Sequence, residues 1–259
     1  MARAKQLIGK IMRSKGEVFT VADAAICLDL SSEDTAKTLA RWAKQGWLIR
    51  LKRGLYAVVA IDASSTERVL AEPWVLIPQL FKSCYVGGWS AAEHWGLTEQ
   101  IFYDICVVSD SARVKKTQRV QNINFVATKV SSERLFGSKV IWKNNTKVMV
   151  SDPHKTIVDM LYDPLLGGGI QHVVDCFREY QQSEYRDFIK LGDYAERMRS
   201  GAILKRLGFL AERDLGREHV LTTFCAKALS QGNAYLDPKQ KGGRLITRWR
   251  LLVPDSYKE

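Results

Sequence analysis

Between Ser31 and Gly46 the chain spells one short helix with both ends fixed by side-chain chemistry, and its flanks leave few folds open. Ser31 stands where an N-cap belongs, with Asp34 three residues on at the capping-box spacing, and Gly46 suits the left-handed position just past a helix C-terminus. Between the caps, Ala36, Leu39, Ala40 and Ala43 recur at i, i+3, i+4 and i+7, an apolar stripe expected to pack on preceding helices. The opposite face carries Lys37, Thr38, Arg41, Lys44 and Gln45. Upstream, Leu7, Ile8, Ile11 and Met12 predict a helix over residues 2–14 that Gly16 ends, and Thr20 caps a second helix from Val21 to about Leu28. Asp29-Leu30 makes the turn into the third. Downstream, Trp47–Leu51 and Leu55–Val59 read as a hairpin around Lys52-Arg53-Gly54. Helix, helix, turn, helix and a two-stranded wing is the order of a winged helix-turn-helix.

Charge narrows the partner. Lys and Arg number 39 against 28 Asp and Glu, a net +11 over 259 residues. Eleven of those cations and only five of the carboxylates fall in residues 1–60, so over half of the excess sits in under a quarter of the chain. Such a field favours polyanionic partners and speeds encounter with them, though it says nothing about fold. Its placement on a helix face and a wing points to double-stranded DNA. Lys37, Thr38, Arg41, Lys44 and Gln45 are side chains that reach phosphate oxygens and base edges, and Arg41 has the fork to read guanine. Lys52 and Arg53 at the wing tip are expected on phosphate or in a minor groove. The competing explanation is a solvated polar helix face beside an ordinary hairpin. Arg113, Lys115, Lys116 and Arg119, in residues 113–119, read as a solvated loop. Arg244, Arg248 and Arg250 read as one charged face of a C-terminal strand, Arg244–Val253, where charge guards an edge against pairing.

The fold class expected is α+β, with a winged helix-turn-helix over residues 1–62 and a larger mixed domain over 63–259. Ser64 opens a helix start with Glu67 as its capping partner, leading to a helix that contains Leu70, Trp74, Ile77 and Leu80. Ser90 and Glu93 are spaced as another capping box, with Gly96 as the stop. Strands are predicted at Phe102–Val108, Ile123–Val130, Lys139–Trp142 and Thr146–Val150, with Asn144-Asn145 as the turn between the last two. Asp152-Pro153 begins a helix in the favoured way, and from Gly169 onward the pattern is mostly helical.

Chemistry for catalysis is thin. His94, His154, His172 and His219 are far apart in sequence, with no HExxH and no Cys/His metal spacing. Gly167-Gly168-Gly169 lacks the Lys-Ser/Thr of a nucleotide-binding loop and reads as a lead into a helix; Asp152-Pro153-His154-Lys155 reads as a helix cap with polar neighbours. No nucleophile is assembled with a base, so the expectation is no enzyme, no catalytic residue, no metal and no cofactor. Cys27, Cys84, Cys106, Cys176 and Cys225 form no CxxC pair, and four sit in apolar stretches, as buried free thiols do in a reducing compartment. With no secretory hydrophobic region and no membrane-length apolar run, the expected location is cytoplasmic, with no membrane partner.

Four segments in order combine with the winged helix to suggest a family. They are Arg53-Gly54-Leu55-Tyr56, Tyr85 to Leu97 (YVGGWSAAEHWGL), Ser151 to Asp159 (SDPHKTIVD) and Lys205 to Glu212 (KRLGFLAE). The chain resembles the AbiEi antitoxins of bacterial abortive-infection, type IV toxin–antitoxin systems used in phage defence. The resemblance implies a repressor that binds inverted repeats in its own promoter, as a dimer on DNA. It also implies a C-terminal domain that neutralises a nucleotidyltransferase-like toxin, without requiring a stable complex. Carried onto this sequence, DNA recognition would fall to Lys37, Thr38, Arg41, Lys44, Gln45, Lys52 and Arg53. For neutralisation the candidates are Glu93 and His94 in the Gly-Trp-Ser segment, and Lys205 and Arg206 as exposed helix cations. The alternative is a transcriptional regulator of a mobile element, with a ligand-sensing or oligomerising C-terminal domain and no toxin.

Overall fold

In the computed structural model of the chain, residues 2–58, 72–112, 115–240 and 242–257 are described. The boundary expected near residue 62, the helix start at Ser64 with Glu67, and Leu70 lie outside them, as does Arg113 of the basic loop. Two compact units are present: Met1–Ser83 with Thr117–Phe125 and Val140–Val148, and Cys84–Lys116 with Val126–Lys139 and Met149–Glu259.

The first unit begins with α1 (Ala2–Lys15), closed by Gly16 at φ +85°. β1 (Val18–Thr20) follows, then α2 (Val21–Leu28), α3 (Ser32–Lys44), β2 (Leu48–Lys52) and β3 (Leu55–Val58). Thr20 caps α2 through a full capping box with Asp23, two orphan amides satisfied reciprocally. Ser31 Oγ accepts the Asp34 amide at 3.1 Å, but its return bond is hydroxyl to carboxylate, 2.7 Å to Asp34 Oδ2. At the other end of α3 the Trp47 amide reaches back to the Trp42 carbonyl and Gly46 to Ala43, both at 3.0 Å, with Gly46 at φ +82°. This is the Schellman closure that a glycine at that position permits.

The inward face of α3 differs from the expected alanine stripe. Thr35, Leu39 and Trp42 are buried, Ala36 and Ala43 are half-buried, and Ala40 is exposed. An indole removes far more apolar area from water than a methyl group does, so the helix rolls to place Trp42 among Ile8, Ile11, Phe19, Leu48 and Tyr56. The hairpin is also not two-stranded. β1 pairs antiparallel with β3, giving the order β1-β3-β2. Three residues are too few to show alternation, which is why Val18–Thr20 left no strand signal.

A 3₁₀ turn at Pro73–Leu76 leads into α4 (Ile77–Leu80). Then come β4 (Cys84–Val86), α5 (Gly88–His94), β5 (Ile105–Ser109), β6 (Thr117–Val120), β7 (Ile123–Lys129), β8 (Ser138–Lys143) and β9 (Thr146–Ser151). These strands form a six-stranded mixed sheet in the order β6-β7-β5-β4-β9-β8, with β4 antiparallel to β5 and parallel to β9. Asn144-Asn145 makes the expected tight turn, Asn144 at φ +51°. The expected capping box at Ser90 is absent: α5 starts three residues earlier, with Gly87 as N-cap, and Ser90 Oγ accepts the Cys106 amide at 2.9 Å inside the fold. Glycine is required there, because a Cβ on Gly88 would lie 2.1 Å from the Leu166 carbonyl oxygen.

The helical remainder comprises α6 (Pro153–Tyr162), α7 (Ile170–Gln182), α8 (Phe188–Arg197), α9 (Gly201–Leu215) and α10 (Val220–Lys227). It ends in β10 (Ala234–Tyr235), β11 (Arg244–Ile246) and β12 (Leu251–Val253), ordered β10-β12-β11. The single strand expected over Arg244–Val253 is thus a folded-back pair: a 3₁₀ turn at Thr247–Trp249 and Arg250 at φ +49° reverse the chain so that Ile246 pairs with Leu251. The reversal buries Trp249 against Gly208 of α9, where a Cβ would stand 2.0 Å from the indole.

Helix α6 is buried from Pro153 to Leu161, polar residues included. Asp152 caps it through the Lys155 amide at 2.8 Å, and Pro153 occupies the first turn. Lys155, 0 % exposed, pairs with Asp159 one turn on and donates to Tyr85 Oη at 2.8 Å; Tyr85 Oη donates to Asp159 Oδ2 at 2.7 Å. Burial pushes the Asp159 carboxyl up, against the pull of Lys155, and pushes the Tyr85 phenol well up too. A buried ion pair gains little over a well-packed apolar pair, yet one partner left alone is costly. Lys155→Met or Asp159→Leu alone should lower unfolding free energy by about 3–5 kcal/mol, and the double variant should recover most of it, as read by denaturant titration.

Candidate nucleic-acid interface

Once Trp42 is inside, the helical period decides what α3 shows to water. Lys37, Arg41, Lys44 and Gln45 are exposed, and Thr38 is half-buried beside them. Lys37 pairs with Glu33 one turn earlier at 2.7 Å. Such an exposed pair contributes about 0.3–0.5 kcal/mol, so a phosphate can displace the carboxylate cheaply. Among the described residues Arg41, Lys44, Lys52 and Arg53 have no carboxylate partner. The wing projects from paired strands: β2 carries a bulge between Arg50 and Lys52, and the turn Arg53-Gly54 closes with Gly54 at φ +79°. Lys52 and Arg53 are both exposed at that tip. All seven candidates for DNA recognition therefore lie on two elements, α3 and the wing, of one compact unit.

The four candidates for neutralisation divide. Glu93 is exposed near the end of α5, and His94 is half-buried, edge-on to Trp95 with centroids 4.7 Å apart. Lys205 and Arg206 are not the exposed cations expected; they are 3 % and 4 % exposed. Lys205 Nζ donates to Ser230 Oγ at 3.0 Å and to the Gln231 carbonyl at 3.3 Å. Arg206 donates to the carbonyls of Tyr235 at 2.9 Å and of Leu161 at 2.7 Å and Tyr162 at 3.3 Å. The last two are unpaired C-terminal carbonyls of α6, so the guanidinium closes that helix from another one. Burial lowers its pKa to about 10, and burial likewise lowers Lys205, with Arg250 adding to it. Their apolar neighbours at every third and fourth position, Ile203, Leu204, Leu207 and Leu210, suggest one wet face, yet α9 is buried all round from Ile203 to Ala211.

Among the described residues no three His, Cys, Asp or Glu side chains gather to hold a metal ion, and no helix is long and apolar enough to cross a membrane. The polar cluster of Lys155 with Asp159 and Tyr85 is sealed in the core. Its i, i+4 spacing on α6 was the one signal for it in the sequence.

Three helices and a three-stranded sheet, with cations exposed on α3 and on the β2–β3 hairpin, make up residues 2–58. Residues 10–59 match the family model described as "Transcriptional regulator, AbiEi antitoxin", and a larger α/β region follows this segment. Among solved structures, the RV2827C protein from Mycobacterium tuberculosis shares the fold: TM-score 0.65, 15% identity, covering 98% of this chain and 92% of that one. No curated protein matches the chain.

Because Arg206 serves three carbonyls, Arg206→Met should destabilise the protein by about 1–3 kcal/mol for each carbonyl left dry, visible as a lower thermal midpoint. A variant melting like the parent would reopen a role for Arg206 at a partner surface.

Proposed function

We propose that the protein is an antitoxin that represses its own operon: α3 and the wing bind inverted repeats in promoter DNA, and the larger α/β region neutralises a nucleotidyltransferase-like toxin. The observation that carries the DNA half is the set of four exposed cations without carboxylate partners, on the recognition helix and wing of a segment that matches an antitoxin–regulator family. In this reading Lys37, Thr38, Arg41, Lys44 and Gln45 face the major groove. Arg41 forks onto the O6 and N7 acceptors of a guanine, and Lys52 and Arg53 hold the adjacent phosphates. The neutralising half draws support from the segments that resemble the family beyond residue 59. A stable complex with the toxin is not needed, and exposed Glu93 with half-buried His94 remain the candidates on that side. The role is regulatory rather than catalytic, and the place of action is the cytoplasm.

Two protomers on a repeat that together meet about six phosphates should lose roughly a thousandfold in affinity between about 50 and 200 mM salt. Arg41→Ala should cost about 1–3 kcal/mol on the operator and little on random duplex, whereas Lys52→Ala should weaken both alike and flatten the salt slope by about one. Electrophoretic mobility shifts on the upstream region test this; equal loss on both duplexes for Arg41→Ala would remove it from base reading. Growth of cells that co-express the protein and the adjacent gene product tests the second half. Undiminished killing would leave the regulator of a mobile element as the better account.

A further inference from the structure

Burying an indole is what makes tryptophan useful to a fold, and Trp142 forgoes most of that gain: it keeps 61 % of its surface exposed. It sits on β8, an edge strand of the six-stranded sheet, with Val140 two residues earlier on the same face at 52 % exposed. The two-residue turn sets Lys147 across the hairpin from it, with Nζ 5.2 Å from the ring centroid. Between Ser138 and Val148 there are three lysines and no carboxylate; Lys143 pairs with Glu72 at 3.3 Å, and Lys139 and Lys147 are exposed. The hairpin turn abuts the end of α1: Asn144 Nδ2 donates to Glu17 at 3.0 Å, and a Cβ on Gly16 would lie 3.2 Å from Thr146 Oγ1. Helix α1 runs into that corner with five cations, none buried, and no carboxylate.

This corner is not the duplex-facing surface. Glu17 bonds to Val58, at the end of β3 away from the Arg53-Gly54 tip, and β3 is about 10 Å long. An exposed indole flanked by a lysine and approached by a cationic helix is the arrangement that stacks unpaired bases and tracks their phosphates. A duplex keeps its base faces inside, so it offers the indole nothing to stack on.

We propose that the β8–β9 hairpin is a binding site for single-stranded nucleic acid, with Trp142 as the stacking platform for one base and Lys147 as the contact to its phosphate. Charge complementarity selects this occupant: the apolar plate has Lys147 against it, and the nearby carboxylates of Glu17 and Glu72 are taken up by Asn144 and Lys143, so the charge left over is positive, as a strand of stacked bases and phosphates requires. The site is independent of promoter recognition by α3.

The full chain is titrated with end-labelled oligo(dT) and oligo(rU) of about twelve nucleotides, and with a random duplex of equal length, at about 50 mM salt. Trp142→Ala should weaken single-strand binding roughly 5- to 150-fold, the range one stacked base contributes, and leave duplex binding and thermal midpoint unchanged. Trp142→Phe should restore most of it, and Lys147→Ala should lower the salt slope by about 0.7. With the unaltered protein, irradiation of a 5-iodouracil oligonucleotide should leave its adduct on Trp142. Binding by either sugar supports the site, and the tighter one names the natural source. Unchanged single-strand affinity in Trp142→Ala, equal losses on single strand and duplex, an adduct mapping elsewhere, or no oligonucleotide binding at all would each overturn it; the last would leave the plate to a protein partner.

Discussion

The burial of Trp42 is the contact on which the first unit turns. A helix of thirteen residues has one rotational freedom once its ends are fixed, and the largest apolar side chain takes it up. With the indole held among Ile11, Phe19 and Leu48, Arg41 and Lys44 cannot point anywhere but out. The cationic face is thus a by-product of core packing, and its precision is that of the core. Ala40, which shares the outer face, gives that surface a flat spot between charges, where a side chain of any size would stand off a groove.

The second unit solves a different problem, how to bury helices that carry charge. In α6 the answer is internal pairing: Lys155 and Asp159 meet one turn apart, and Tyr85 Oη from β4 bonds to both. In α9 the answer is export of charge to backbone: Arg206 and Lys205 give their hydrogens to carbonyls and a hydroxyl that would otherwise be unpaired. Both arrangements leave each polar atom served, the condition under which buried charge is tolerated. They also make the packing specific, since an apolar substitute at one member would strand the others.

How much of this could be read beforehand follows from the range of the forces involved. Caps and turns are local, so Thr20, Ser31, Gly46, Asn144 and Asp152-Pro153 fell where spacing placed them. The roll of α3 is hidden in the sequence because the i, i+3, i+4 pattern of alanines competes with a second pattern, Thr35, Leu39 and Trp42, and periodicity does not weigh side-chain size. Lys205 and Arg206 read as solvated because charge ordinarily is; the carbonyls that receive them come from residues 161–162, 231 and 235, and no window along the chain shows that convergence. Short strands such as Val18–Thr20 and Cys84–Val86 exist only through their partners. For Lys37, Arg41, Lys44, Gln45, Lys52 and Arg53 the sequence and the fold agree on exposure.

The wing has a further property in its construction. β3 is the middle strand of its sheet, held on both sides, and the Gly54 carbonyl takes the Val21 amide at 3.0 Å, so that of the two tip residues only Arg53 hangs beyond the bonded framework. Length at that loop is therefore decoupled from the stability of the scaffold beneath it. Residues inserted beside Arg53 would lengthen the hairpin while the framework beneath it stays as it is.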